Sequence, residues 1–289
     1  MKSVEYFLNQ TFPDMGFKVI KKLLGGMMNN SLILEDKSHK QYVLYLPTEQ
    51  ANEMVDRELE KENQQITIDL GITSNNFYFN PETGIKINEF IEGDSLNNVE
   101  TYDINEVARI LKILHSSKVL SKKDYNPFDR LLAFEKERQG LGFENSEEYS
   151  KIAKNLYEKR EYLSNDKLVL SHNDFQKSNI VKSIDNNYYV IDFEFMMNNS
   201  EIYDIACFGN GLVSEGFELL KAYFGDSLTN DHKKKYYLWR TFVSLQWYNV
   251  AIIKHIRGEG ETHKMDFMAV AAHFFENAKE AYNSYLNIR

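Results

Sequence analysis

The first ninety residues carry short apolar runs broken by turn residues; the rest carries apolar residues at helical spacing. Phe17-Lys18-Val19-Ile20-Lys21-Lys22-Leu23 and Ser31-Leu32-Ile33-Leu34 read as strands flanking Gly25-Gly26, and Gln41 to Leu46 as a third, stopped by Pro47. A charged helix is expected from about Ala51 to Leu70, ended by Gly71. Asn76 to Phe79 and Ile85 to Phe90 read as two more strands, joined by a turn at Asn80-Pro81-Glu82-Thr83-Gly84. Five strands and one helix make a small mixed lobe.

Beyond Glu92-Gly93-Asp94, Val107, Ile110, Leu111 and Leu114 form the apolar stripe of an amphipathic helix. Charged segments near 128–141 and 146–164 also read as helical. Leu168-Val169-Leu170 is a short buried strand, and Asn179 to Ile184 with Tyr188 to Ile191 form a hairpin around Asp185-Asn186-Asn187. Helices are expected from about Asp231 to Arg257 and from about Lys264 to Asn287, where Phe267, Val270, Phe274, Ala278, Ala281 and Tyr285 keep helical spacing. All four prolines fall before residue 128, which leaves room for long helices afterwards.

Composition narrows the class. With 289 residues, 43% of them hydrophobic and 27% charged, the chain can bury a large core, most simply as two lobes. The net charge of -9 disfavours a nucleic-acid partner and is compatible with a small cationic substrate. A single cysteine, Cys207, permits no intramolecular disulfide, and its apolar neighbours mark it as a buried structural thiol. The N-terminus lacks a signal-peptide pattern, and no apolar run approaches the ~20 residues of a membrane span. The expectation is a cytoplasmic protein without membrane insertion.

Two segments carry chemistry. Ser171-His172-Asn173-Asp174-Phe175-Gln176-Lys177-Ser178-Asn179 has the form His-x-Asp-x-x-x-x-Asn, and Ile191-Asp192-Phe193-Glu194-Phe195 ends an apolar run with two acids. Phosphoryl transfer to a hydroxyl needs a carboxylate to accept the proton and oxygen ligands to hold Mg²⁺ against nucleotide phosphates. Asp174 fits the first role; Asn179 and Asp192 fit the second. His172, two residues before the base, can hydrogen-bond the loop backbone and is counted with the catalytic loop. Gly25-Gly26-Met27-Met28-Asn29-Asn30, between two strands, lets the backbone approach a phosphate closely. No Walker A sequence is present.

In order and spacing these segments resemble the choline/ethanolamine kinase family. Leu24-Gly25-Gly26-Met27-Met28-Asn29-Asn30 is similar to the glycine-rich hairpin of bacterial LicA-type choline kinases, and Asp192-Phe193-Glu194-Phe195 resembles the Asp-aromatic-Glu-aromatic segment of choline kinases. The likeness runs from about residue 20 to 250. It implies a protein-kinase-like α+β fold: residues 1–91 as a nucleotide-binding lobe with an antiparallel sheet plus a helix, and 92–289 as a larger, mostly helical catalytic and acceptor-binding lobe. It implies an ATP- and Mg²⁺-dependent kinase of a small amino alcohol, most simply choline. By position, Asp174 is the base; Asn179, Asp192 and Glu194 serve the metal; Gly25, Gly26, Asn30 and Glu60 serve the nucleotide phosphates. Glu89, Phe90 and Ile91 fall in the hinge that meets adenine, and Asp204 resembles the family's second Asp, a brace for the catalytic loop.

Two positions depart from the family pattern. Tyr45 stands where the family strand carries Lys or Arg toward the phosphates, which leaves the helix acid without its mate. That acid is Glu60, or Glu58 or Glu62 in other alignments; Lys61 or Lys177 are the candidate substitutes. The acceptor cage is thinner than in the family. Phe195, Trp247 and Tyr248 are its candidates, Val250 and Ile253 replace further aromatics, and Trp239 and Phe242 read as core. Two alternatives follow: a kinase of ethanolamine, an amino sugar or another small alcohol, and a weak or inactive kinase-fold binding protein.

Overall fold

The computed structural model describes residues 2–23 and 29–289. The chain divides into two compact units, one of residues 1–99 with 181–195, the other of residues 100–180 with 196–289.

The first unit is built on a five-stranded antiparallel sheet. Its strands are β1 (Lys18–Lys22), β2 (Asn29–Glu35), β3 (Gln41–Pro47), β4 (Asn76–Phe79) and β5 (Lys86–Glu89), in the order β1-β2-β3-β5-β4. Strand alternation gives the sheet two faces. Leu32, Leu34, Tyr42, Leu44 and Ile87 point into one apolar core with Leu8 and Phe17. Leu8 lies on α1 (Lys2–Thr11), a helix not among the elements expected from the apolar pattern. On the other face, Tyr45 of β3 stands directly opposite Lys86 of β5.

The helix expected over 51–70 is two helices, α2 (Glu49–Met54) and α3 (Arg57–Asp69). The cause is local: the Asp56 carboxylate accepts from Leu59 N at 3.1 Å and so caps a new helix start inside the apolar period. The hairpin Ile180–Ser183 and Tyr188–Val190 is tied to this unit by Gly93–Ser95, which pairs with Val181–Ser183, and by Val190 N donating to Ile72 O at 2.8 Å. A side chain at Gly93 would place its Cβ 2.2 Å from Lys182 O, so only glycine allows this pairing.

The second unit is helical. In chain order it holds α4 (Ile104–His115), α5 (Pro127–Gly140), α6 (Glu147–Glu158), α7 (Arg160–Ser164), α8 (Glu201–Phe208), α9 (Val213–Phe224), α10 (Asn230–Ile256), α11 (Gly260–His263) and α12 (Phe267–Leu286). A two-stranded antiparallel pair joins Leu168–Ser171 to Met197–Ser200. Pro127 opens α5, where a missing N–H costs nothing, and the Asn126 side chain caps it. The segment expected as one helix over 146–164 breaks at Lys159 into α6 and α7. Ala251, Ile252, Phe267 and Ala271 pack α10 on α12, while Trp239 and Phe242 are buried against Phe128 and Tyr203 as core. Cys207 is buried, and burial pushes its thiol pKa up, which suits an inert role. No helix among the described residues is long and apolar enough to cross a membrane.

Candidate active site

In the helical unit, the strand Leu168–Ser171 delivers the chain into the loop 172–179. The loop is held from beneath by one buried carboxylate. Asp204 on α8 accepts from His172 N at 2.8 Å with Oδ2 and from Asn173 N at 2.7 Å with Oδ1. His115 Nε2 donates to the same Oδ2 at 2.9 Å. Asn173 sits at φ 62°, a left-handed conformation that Asn tolerates, and its side chain ties back to Ser171 O and Met197 O. His172 is fully buried, and its Nδ1 accepts from Asp174 N at 3.3 Å. This matches the expected bond from His172 to the loop backbone.

Asp174 lies at the turn of this loop, partly exposed. Its Oδ2 accepts from Asn179 Nδ2 at 3.0 Å and from Gln176 Nε2 at 3.1 Å, and its backbone O accepts from Asn179 Nδ2 at 2.9 Å. The structure thus brings Asp174 and Asn179 into direct contact. A relay stands behind them that the sequence reading did not identify. Arg240 Nη1 donates to Asn210 Oδ1 at 2.8 Å, and Asn210 Nδ2 donates to Gln176 Oε1 at 3.2 Å. Arg240 is fully buried and also donates to Ala206 O and Ser244 Oγ. A carboxylate that accepts two amide donors is fixed in direction and presented to a substrate hydroxyl in one orientation.

In the sheet unit, Glu60 is buried on α3 and forms ion pairs with Lys86 Nζ and, at 2.6 Å, with Arg57 Nη1. Arg57 Nη1 also lies 3.9 Å from Glu194 Oε2, and Asn29 Nδ2 donates to that oxygen at 3.3 Å. Glu58, Glu62 and Lys61 are exposed, so of the three alignments the structure gives Glu60 the buried position. Lys177 pairs with Glu215 at 2.8 Å. Asn30 is exposed on β2; its neighbour Asn29 is the residue that reaches Glu194. The expectation for Gly25 and Gly26 lies outside the described residues.

Asp192 has φ 69°, a conformation that L residues rarely adopt and that persists where the surroundings enforce it. Burial raises the Glu194 pKa, and the neighbouring Asp192 charge adds to the rise. Two neighbouring acids of which one is held up by burial and by the other's charge form a place where a cation relieves repulsion, so the residues fit Mg²⁺. Magnesium commonly takes one or two protein carboxylates, with phosphate and water supplying the rest. No group of three or more His, Cys, Asp or Glu among the described residues could hold a metal by itself.

In the hinge segment, Phe90 N donates to Gln41 O at 3.1 Å and Glu89 N to Asn75 O at 2.9 Å, while the Glu89 carboxylate pairs with Lys40. Ile91 follows, partly buried. Of the acceptor candidates, Phe195 is partly buried in the sheet unit. Trp247 stacks on Phe274, with centroids 6.0 Å apart at 20°. Tyr248 packs on Tyr149 and Phe275, and the Arg138 guanidinium lies 5.7 Å from its ring centroid. A buried arginine therefore already stands over that ring.

Sheet, helix pair and loop together define a protein-kinase-like α+β phosphotransferase fold. The choline/ethanolamine kinase family model matches residues 20–215, and the chain belongs to that family of small-molecule kinases. Protein LicA of Haemophilus influenzae is 22% identical over 189 residues, which are 63% of this chain and 55% of that protein; the match thus spans about half of that relative's length. The crystal structure of choline kinase LicA from Streptococcus pneumoniae superposes with a TM-score of 0.77 at 22% identity, over 98% of this chain and 99% of that one. A LicA structure in complex with AMP superposes with a TM-score of 0.76 at 21% identity, over 98% of each chain.

Proposed function

We propose that this protein is an ATP- and Mg²⁺-dependent kinase of a small amino alcohol, with choline as the first acceptor. The observation that carries the reading is Asp174, held by Asn179 and Gln176 in the loop of a chain that belongs to the choline/ethanolamine kinase family. Asp174 orients the acceptor hydroxyl and takes its proton as the hydroxyl oxygen bonds to the γ-phosphorus and the bond from that phosphorus to the β–γ bridging oxygen breaks, releasing ADP. The sheet unit serves the nucleotide and the helical unit serves catalysis and the acceptor; a LicA structure that holds AMP supports the use of an adenine nucleotide. Asp192 and Glu194 of the sheet unit would hold Mg²⁺. The ion would supply charge neutralisation to the phosphate oxygens. Glu89, Phe90 and Ile91 are the residues for adenine, and Trp247 is the aromatic of the helical unit for the acceptor.

The test is a panel of choline, ethanolamine and amino sugars with ATP and Mg²⁺, read by ADP release and by phosphorus NMR of the product. Choline is expected to turn over with the highest kcat/KM. A kcat/KM for ethanolamine or an amino sugar above that for choline would move the assignment to that acceptor. Tyr248, with Arg138 already over its ring, is the observation that favours such an outcome. Tight ATP binding with no turnover on any acceptor would reject the kinase reading in favour of a binding protein.

The relay behind the loop gives a second expectation. Gln176→Ala removes one of the two amide donors to Asp174 Oδ2 while Asn179 keeps the other. A lost neutral hydrogen bond is worth about 1 kcal/mol, so kcat should fall about fivefold to tenfold with KM for ATP unchanged. Steady-state kinetics on both substrates checks the split; an equal loss in KM for ATP would contradict a role through Asp174.

A further inference from the structure

We infer that Lys86, on β5, is the cation that binds the nucleotide phosphates, standing in across the strand ladder for the charge that Tyr45 on β3 lacks. The inference rests on the proposed use of ATP.

Tyr45 and Lys86 are direct partners in the antiparallel β3–β5 register, so their side chains leave the sheet on one face at nearly the same height. The ammonium lies 4.9 Å from the Tyr45 ring centroid. A cation rooted on β5 therefore occupies the space that a long side chain at position 45 would fill. The face is the one toward α3, where Lys86 pairs with Glu60. Glu60, which has no mate on β3, thus finds one on the next strand.

The cluster is built unlike a structural ion pair. Lys86, Glu60, Arg57 and Glu194 are each at most 6% exposed, and Asp192 adds a further charge felt by Lys86. Buried ion pairs contribute little net stability compared with apolar packing, so five charged groups in one place call for another use. Burial opposes the Lys86 charge, but Glu60 and then Asp192 outweigh it and raise the pKa, so the side chain stays an ammonium. An ammonium has three donors. Among the described residues its one hydrogen-bond partner is Glu60 Oε1, which leaves donors for phosphate oxygens. Arg57 Nη2 is buried with no partner among the described residues and offers a second donor beside it. Asp192 and Glu194, the proposed metal ligands, lie near enough to shape the same local field. A polyphosphate here would meet an ammonium, a guanidinium edge and a metal together.

The experiment measures the affinities of the full-length protein for ATP and adenosine, with Mg²⁺ present, by calorimetry. Lys86→Met is expected to weaken ATP at least about tenfold, the usual scale of a lost charged hydrogen bond, while adenosine changes less than about twofold. Lys86→Arg should keep most of the ATP affinity. Tyr45→Lys combined with Lys86→Met should recover part of it by returning the cation to β3. If Lys86→Met alone does not fold, Lys86→Met with Glu60→Gln removes the pair as a neutral unit and gives the same readout. An unchanged ratio of ATP to adenosine affinity, or an equal loss of both, would overturn the inference. Lys86-dependent ATP binding with no turnover on any acceptor would reject the kinase reading and leave this one standing. Turnover by a wild type whose ATP affinity does not exceed that for adenosine would do the reverse.

Discussion

Asp174→Asn is expected to lower kcat about a thousandfold with ATP affinity retained. The amide keeps the shape of the carboxylate and one oxygen to accept from Asn179 and Gln176, whose donors lie at 3.0 and 3.1 Å. It cannot accept the hydroxyl proton. Positioned proton transfer is typically worth about 10² to 10⁴ in rate, and the loss of a negative charge beside the reacting hydroxyl pushes toward the upper half of that range. Rapid-quench turnover with choline and calorimetric ATP binding separate the two effects. Activity within a few-fold of the wild type would remove Asp174 from the chemistry and with it the reading of the loop.

The second large effect falls on stability. Asp204→Ala should destabilise the helical unit by about 3–5 kcal/mol, the usual cost of deleting one partner from a buried charged network. The carboxylate is fully buried and accepts two backbone N–H groups and an imidazole N–H, at 2.7 to 2.9 Å. Alanine would remove the acceptor that all three donors share, at a cost of about 1–3 kcal/mol for each lost bond before relaxation. Asp204→Asn should cost less, since its oxygen can still accept from the backbone. Urea unfolding followed by near-ultraviolet dichroism reads the difference. A loss below about 1 kcal/mol for Asp204→Ala would mean that water enters and replaces the carboxylate.

Much of this was legible in the chain because the signals are local. His172, Asp174 and Asn179 lie within eight positions, so their loop could be read as one unit, and the resemblance to the family implied Asp204 as its brace. The apolar periods of α4, α10 and α12 gave helices within a few residues of those observed. What escaped was longer in range or subtler in chemistry. The break between α2 and α3 depends on Asp56 serving as a cap, which an apolar period does not report. The relay from Arg240 through Asn210 to Gln176 joins residues up to 64 positions apart, and each of them looks ordinary in its own stretch of the chain. Arg57 and Asn29 were passed over for the same reason. A signal for Lys86 did exist: a lysine flanked by Ile85 and Ile87 in an apolar stretch of the chain is a charge that must be paired if it is buried.

The sequence by itself determined the chemistry on offer: an Asp with an Asn five positions on, a second acid pair at the end of a hairpin, and the order of elements that marks the family. Only the tertiary structure decided which lysine stands beside Tyr45 and pairs with Glu60. That choice rests on the register of β3 against β5, which places Tyr45 opposite Lys86. Side chains alternate between the faces of a sheet, so a slip of one residue would turn Lys86 into the apolar core and away from Glu60. Register is set by the packing of Leu44 and Ile87 with α1 as a whole, and no single stretch of the chain contains it.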